Sequence, residues 1–214
     1  MDEATISTLK HSCQRTTQPV AAHGEAGHPG TFHLMATTPQ LHFDPIAEAR
    51  RQWTAHEWSD EAQGMAIVTS IMRVHQLLLS RVDAVLRPFG LSFARYEVLM
   101  LLSFSRTGAL PLGKISARLQ VQAGAVTNAI NRLERQGLVR RRPHPTDRRA
   151  TLAVITRRGR SVAHQATVPL NEHVFGAMYL APEEAEALFG LLRQIRLAAG
   201  DFHDDQQDPI TLVT

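Results

Sequence analysis

Cysteine is almost absent: the 214-residue chain has one, Cys13. A lone thiol excludes an internal disulfide framework and any cysteine-based zinc site, and it suits a reducing cytoplasm. Aromatic residues are also scarce, at eight Phe, two Tyr and two Trp, too few for a platform that stacks single-stranded bases. No apolar run reaches the roughly 18 residues that a membrane span needs, and the first thirty residues carry no apolar core of a secretory signal. Catalytic motifs are missing too. There is no Gly-x-Ser-x-Gly and no glycine-rich phosphate loop, and His56-Glu57 lacks the second histidine of a zinc-protease helix. No catalytic residue, metal or cofactor is expected.

Acids are nearly missing from one stretch. Between Lys114 and Arg160 stand twelve Lys or Arg and only two acids, Glu134 and Asp147, so this segment carries about +10. The remainder holds eleven basic and eighteen acidic residues, or −7, and the whole-chain value of +3 hides the asymmetry. A net-acidic body with one strongly basic segment is the electrostatic footprint of a protein that lays one module on a polyphosphate. A plain solvated face would explain five or six charges, but here they are interleaved with a structural pattern.

Residues 1–42 mix Thr, Gln, Gly, Pro and five His with no sustained periodicity, and are expected to be a tail that cannot bury enough apolar surface to order itself. The histidine spacing (11, 23, 28, 33, 42) fits no metal template, and Met35 offers an alternative start. Asp44-Pro45 marks a helix entrance, with Ile46, Ala49 and Trp53 on one face and an end near Trp58. A longer helix over about 61–87 places Ile67, Ile71, Val74, Leu78, Val82 and Val85 at 3.6-residue spacing. Pro88-Phe89-Gly90 stops it, and Ser92 opens a third helix over about 93–104.

The basic segment then reads as a compact unit. Pro111-Leu112-Gly113 opens a short helix to about Gln120, three residues turn, and a second helix over about 124–136 buries Val126, Ala129, Ile130 and Leu133 before Gly137 ends it. Two helices joined so tightly meet the helix-turn-helix template. Residues 138–142 and 151–155 follow as extended runs around a Pro143/Pro145 loop, which predicts a β-hairpin wing. Thr156 caps a long helix to about 176 that Pro169 should kink. Pro182 starts the last helix, to Ala199, whose apolar positions exceed one stripe, so it is expected to pack on its own domain and on a partner. Residues 201–214 form an acidic tail.

The outer face of the second helix carries Thr127, Asn128, Asn131, Arg132 and Arg135. Asn pairs bidentately with adenine, Arg with guanine, and a Thr methyl meets the thymine methyl. Thr127, Asn128 and Asn131, nearer the helix start, are the base-reading candidates, while Arg132 and Arg135 suit phosphates. On the wing stand Arg142 and Asp147-Arg148-Arg149. An acid beside phosphate is repelled, so Asp147 is expected to hold a neighbouring Arg extended by a salt bridge for entry into a narrow minor groove.

Gly137-Leu138-Val139, the following Arg-Arg-Arg-Pro, Asp147-Arg148-Arg149, Ile155-Thr156 and Gly159-Arg160 resemble the MarR family (multiple antibiotic resistance regulators) over about residues 44–200. The resemblance implies a mainly α winged helix-turn-helix fold with a small β-hairpin wing, working as a cytoplasmic homodimer on double-stranded DNA. It further implies dimerisation helices in 43–92 and 161–200, a DNA-binding domain in 93–160, and Arg149 at the wing tip. Ala125 stands where the family often has Ser or Thr, and Asn131 where it often has a charge. Such regulators, usually repressors, commonly release DNA when a small aromatic or phenolic acid binds. Trp53, His75, Arg95 and Tyr96 are the candidate effector residues, since a carboxylate needs Arg or protonated His in a partly dry cleft. The competing reading is a winged helix used only for protein contacts, which would not need the charge excess.

Overall fold

The computed structural model describes residues 41–147 and 149–204. The predicted tail through Gln40, with Cys13 and four of its histidines, lies outside the described residues, as do Arg148 and residues 205–214.

Asp44 caps α1 (Pro45–Thr54) through Oδ1, which accepts the Ile46 N–H at 2.9 Å. The helix stops four residues short of the expected Trp58. The chain turns there, and the Trp58 ring meets that of Trp53 with centroids 5.3 Å apart. α2 (Ala62–Leu86) ends in a turn closed by Gly90, which takes the left-handed conformation at φ 66°. α3 (Phe93–Phe104) follows, and after it comes β1 (Ala109–Pro111).

β1 departs from the sequence reading, which gave Pro111 to a helix entrance. It adds a third strand to the expected hairpin. β3 (Thr151–Ile155) lies between β1 and β2 (Val139–Pro143), antiparallel to both, with Leu110 opposite Ala153 and Arg141 opposite Ala153 from the other side. Three residues are too few to show an alternating pattern; pairing with β3 makes the strand.

α4 (Leu112–Leu119) and α5 (Ala123–Arg135) form the helix-turn-helix within a residue or two of the expected bounds. Gln120, at φ 52°, makes the sharp turn between them. Ile115, Val126, Ile130 and Leu133 are buried with Leu99, Leu102, Val139 and Ile155 in one core. The apolar face of α5 is thus spent on packing, and its polar face looks outward.

α6 (Arg157–Leu170) is capped by Thr156, whose Oγ1 accepts the Gly159 N–H at 2.9 Å and donates to the Gly137 carbonyl at 2.9 Å. One hydroxyl therefore ties the end of α5 to the start of α6. A Cβ on Gly159 would run into the Leu138 carbonyl oxygen, so this close crossing requires glycine. Pro169 lies inside α6, and the expected continuation to about 176 takes the form of a π-helical turn over Asn171–Phe175. Proline supplies no N–H to the ladder of α6 at this position.

α7 (Pro182–Ala198) overturns one expectation: none of its residues is buried, so it does not pack on its own domain. Leu188, Phe189, Leu191, Leu192 and Ile195 are exposed, as are Ile67, Ile71 and Val74 of α2. An apolar groove of about 600 Å³ runs between α1, α2 and α7.

Candidate nucleic-acid interface

Two basic surfaces stand side by side, the outer face of α5 and the wing. On α5, Thr127, Asn128, Asn131, Arg132 and Arg135 are all exposed. The Thr127 hydroxyl donates to the Ala123 carbonyl at 3.0 Å, which fixes its rotamer. No side-chain hydrogen bond between described residues engages Asn128, which is exposed on this face.

Asn131 is placed differently from expectation. Its Oδ1 accepts from Nη2 of Arg141 on β2 at 2.6 Å. The same Arg141 is ion-paired through Nη1 with Glu134 Oε2, and its backbone N–H donates to Glu134 Oε1 at 3.1 Å. Bidentate pairing with adenine needs both ends of the amide, so Asn131 belongs first to the joint between α5 and the wing. Glu134, one of the two acids in the basic segment, is explained by that joint. Sequence reasoning missed it because the partners lie seven and ten residues apart on different elements.

The other acid, Asp147, sits at the wing tip, and of its two neighbouring arginines only Arg149 is among the described residues. Its Oδ1 accepts the backbone N–H of Arg149 at 2.9 Å, closing a turn, and no ion pair joins it to the Arg149 guanidinium. His144 completes the tip: its Nδ1 accepts the Asp147 N–H at 3.1 Å, and its own N–H donates to the Ala150 carbonyl at 3.1 Å. Side chains thus shape the wing loop from within, and Arg149 is exposed there. Because side chains alternate along a strand, Arg140 and Arg142 share one face of β2 and Arg141 takes the other. Arg142 is exposed beside the tip, and Arg148 lies outside the described residues.

The four effector candidates do not come together. Trp53 of α1 meets Trp58 in the turn beyond that helix, and His75 is exposed on α2. Tyr96 is buried and shares a 2.9 Å hydrogen bond with Thr167 of α6. Arg95 turns toward α5. Its Nη1 donates to the Gly90 carbonyl at 2.8 Å and its Nε to Ser92 Oγ at 3.2 Å. Burial, and after it the charge of Arg132, holds its pKa below the usual guanidinium range, with Asp83 opposing. A separate cleft of about 560 Å³ opens between α3 and α6, lined by Met100, Phe104, Arg160, His164 and Thr167 among others. Tyr96 touches it only through Thr167.

The comparisons with known proteins agree with this geometry. The model of the MarR family matches residues 91–151, from just before α3 to the first residue of β3. A crystal structure of a MarR family transcriptional regulator from Streptomyces coelicolor is 50% identical in sequence to this chain, with a TM-score of 0.60, and the match covers 66% of this chain and 99% of that one. The chain belongs to the MarR family. The transcriptional regulator MhqR of Bacillus subtilis is 27% identical over 138 residues, 63% of this chain and 92% of that protein. Another MarR family regulator from Streptomyces coelicolor, solved in complex with DNA, shares the fold at a TM-score of 0.59 and 24% identity, over 65% of this chain and 89% of that one. This member of the family is accordingly a DNA-binding transcription regulator of the winged-helix type, and the family consists of regulators rather than enzymes. Among the described residues no helix is long and apolar enough to cross a membrane.

Proposed function

We propose that this regulator is a cytoplasmic repressor that binds a pseudo-palindromic operator as a homodimer and is released by a small aromatic or phenolic acid. The observation that carries the DNA reading is the adjacency of two exposed cationic surfaces, α5 and the wing, locked together by Arg141, Glu134 and Asn131. A rigid joint fixes the distance between a major-groove helix and a minor-groove arm, as simultaneous engagement of the two grooves needs.

In this reading Thr127 and Asn128 meet base edges, while Arg132, Arg135 and Arg142 hold phosphates. Arg149, with Arg148 beside it, enters the adjacent minor groove, and Asp147 shapes the tip. The uncovered apolar faces of α2 and α7 support a second copy as the partner, so residues 43–92 and 161–200 supply the dimer and 93–160 the DNA-binding domain. A two-fold dimer sets half-sites about 10 bp apart.

The effector reading moves away from the four residues expected from sequence and rests on the cleft between α3 and α6. Arg160 and His164 there offer groups for a carboxylate, and Met100 and Phe104 offer apolar walls. α6 links the winged helix to the carboxyl-terminal helices, so a ligand wedged against it can favour a spacing of the recognition helices that does not fit one DNA turn.

The deciding experiment is a gel shift against DNA from upstream of the chain's own coding sequence at two salt concentrations. Tight binding that weakens steeply with salt is expected. Salt-independent or absent binding would leave the protein-interaction reading. A panel of aromatic acids in a DNA-release assay tests the effector.

A further inference from the structure

Arg95, Arg132 and Arg135 surround one open cavity of about 460 Å³, whose fourth lining residue is Gln136. No acid lines it, and the ion pairs among the described residues all engage other groups. Three guanidiniums that share a cavity without a carboxylate repel one another. The helix dipole accounts for two of them, since Arg132 and Arg135 occupy the last turn of α5, where a cation is favourable. It does not account for Arg95, which stands in the first turn of α3, where the dipole opposes a positive charge.

Arg95 is nonetheless held firmly. Its bonds to Ser92 Oγ and the Gly90 carbonyl fix the guanidinium plane, and Gln136 Nε2 donates to the same Gly90 carbonyl at 2.9 Å, closing the floor. Nη2 of Arg95 makes no hydrogen bond to a described residue. A cation preorganised against its own helix dipole and beside two other guanidiniums, with Asp83 offsetting less than Arg132 opposes, is stabilised once an anion arrives.

We propose that Arg95 grips a backbone phosphate of bound DNA beside those held by Arg132 and Arg135, toward the carboxyl-terminal end of α5. This rests on the DNA-binding reading and adds to it a contact from outside the helix-turn-helix and the wing. A free phosphate ion would answer to the same chemistry, but the cavity is open and lies on the face that carries Asn128 and Arg132, where a DNA strand passes.

The test measures the salt dependence of affinity for one duplex in Arg95→Gln and Arg95→Lys, with melting temperatures recorded alongside. One phosphate contact contributes a slope of about 0.9 in log K against log salt. Arg95→Gln is therefore expected to lower the slope by about 1 while keeping the base preference, and Arg95→Lys to retain it. Equal slopes in the wild type and Arg95→Gln would overturn the proposal, as would equal loss in both variants, which would indicate a merely structural role. Inorganic phosphate is titrated without DNA in parallel. A saturable, Arg95-dependent rise in melting temperature, together with an unchanged DNA slope, would assign the cavity to the free ion and overturn the DNA assignment. Failure of the wild type to bind DNA would fell the underlying reading, and that is seen before any variant is compared.

Discussion

Among single residues, Glu97 of α3 makes the sharpest statement about pH. Burial raises its carboxyl pKa above the usual range. A group whose folded pKa is raised binds its proton more tightly in the native state. Its contribution is therefore most favourable at low pH and is lost as pH rises past the ordinary carboxylate value and through the raised one. Glu97→Gln should remove that loss and raise the melting temperature at neutral pH, with the gain shrinking as pH falls into the ordinary carboxylate range. Thermal melts of both proteins across that range check it, and a gain that grows on acidification would contradict it. Gly159 carries the opposite kind of constraint. Its missing side chain lets the first turn of α6 meet the Leu138 carbonyl, so Gly159→Ala must push a helix away from a strand. Overpacking of this kind costs roughly 1–3 kcal/mol, readable as a lower denaturant midpoint with an unchanged slope.

For whole elements, the relation between α5 and the wing decides how DNA is met. Arg149→Ala should lose roughly 1–3 kcal/mol of binding, concentrated at A·T-rich positions beyond the α5 footprint. Asn128→Ala should change base preference within the major-groove half-site. Glu134→Gln leaves both contact surfaces intact but removes the charge that anchors Arg141. It should therefore weaken binding on every sequence alike, by loosening the joint. Selection of binding sites from a random DNA pool separates the three outcomes, and identical profiles for Arg149→Ala and Asn128→Ala would refute the division of labour. Most of this architecture was legible beforehand. Asp44, Thr156 and Pro182 announce helix starts, and Gly137 announces an end, because capping is local chemistry written in adjacent residues. Ser92 also precedes a helix, but its hydroxyl accepts from Arg95 Nε and caps no backbone N–H. What was illegible depends on contacts across space. β1 exists only through β3, and the Arg141–Glu134–Asn131 joint spans a helix and a strand. The direction of Arg95 follows from Gly90 and Gln136, which no periodicity points to. Asp147 stands out in the sequence as an acid among arginines, and its bond to the Arg149 backbone N–H is a loop contact that no spacing points to.

At the scale of the whole molecule, the surface itself asks for a second copy. α7 buries none of its residues, and Leu191 and Ile195 stand 58% and 50% exposed on a helix whose apolar positions cover more than one stripe. α2 exposes Ile67 and Ile71 to the same groove. A monomer rarely leaves so much contiguous apolar surface in water, whereas joining two copies would dry it at about 25 cal/mol per Å². Leu191→Glu places a charge in the middle of that face. If copies meet there, the variant should sediment as a monomer at micromolar concentration, where the wild type sediments as a dimer. Its melting temperature should fall, because assembly stabilises the wild type by mass action and makes its own melting temperature rise with protein concentration. Operator affinity should fall as well, since one winged helix then holds one half-site without the second contact that the linked partner supplies at high effective concentration. The two readouts are linked: loss of the dimer without loss of operator affinity would mean that the operator is read by single chains. A wild type that remains monomeric while binding DNA tightly would also sink the two-fold model. In either case the half-site spacing of about 10 bp would lose its physical basis, because only a fixed pair of recognition helices imposes one turn of DNA between them.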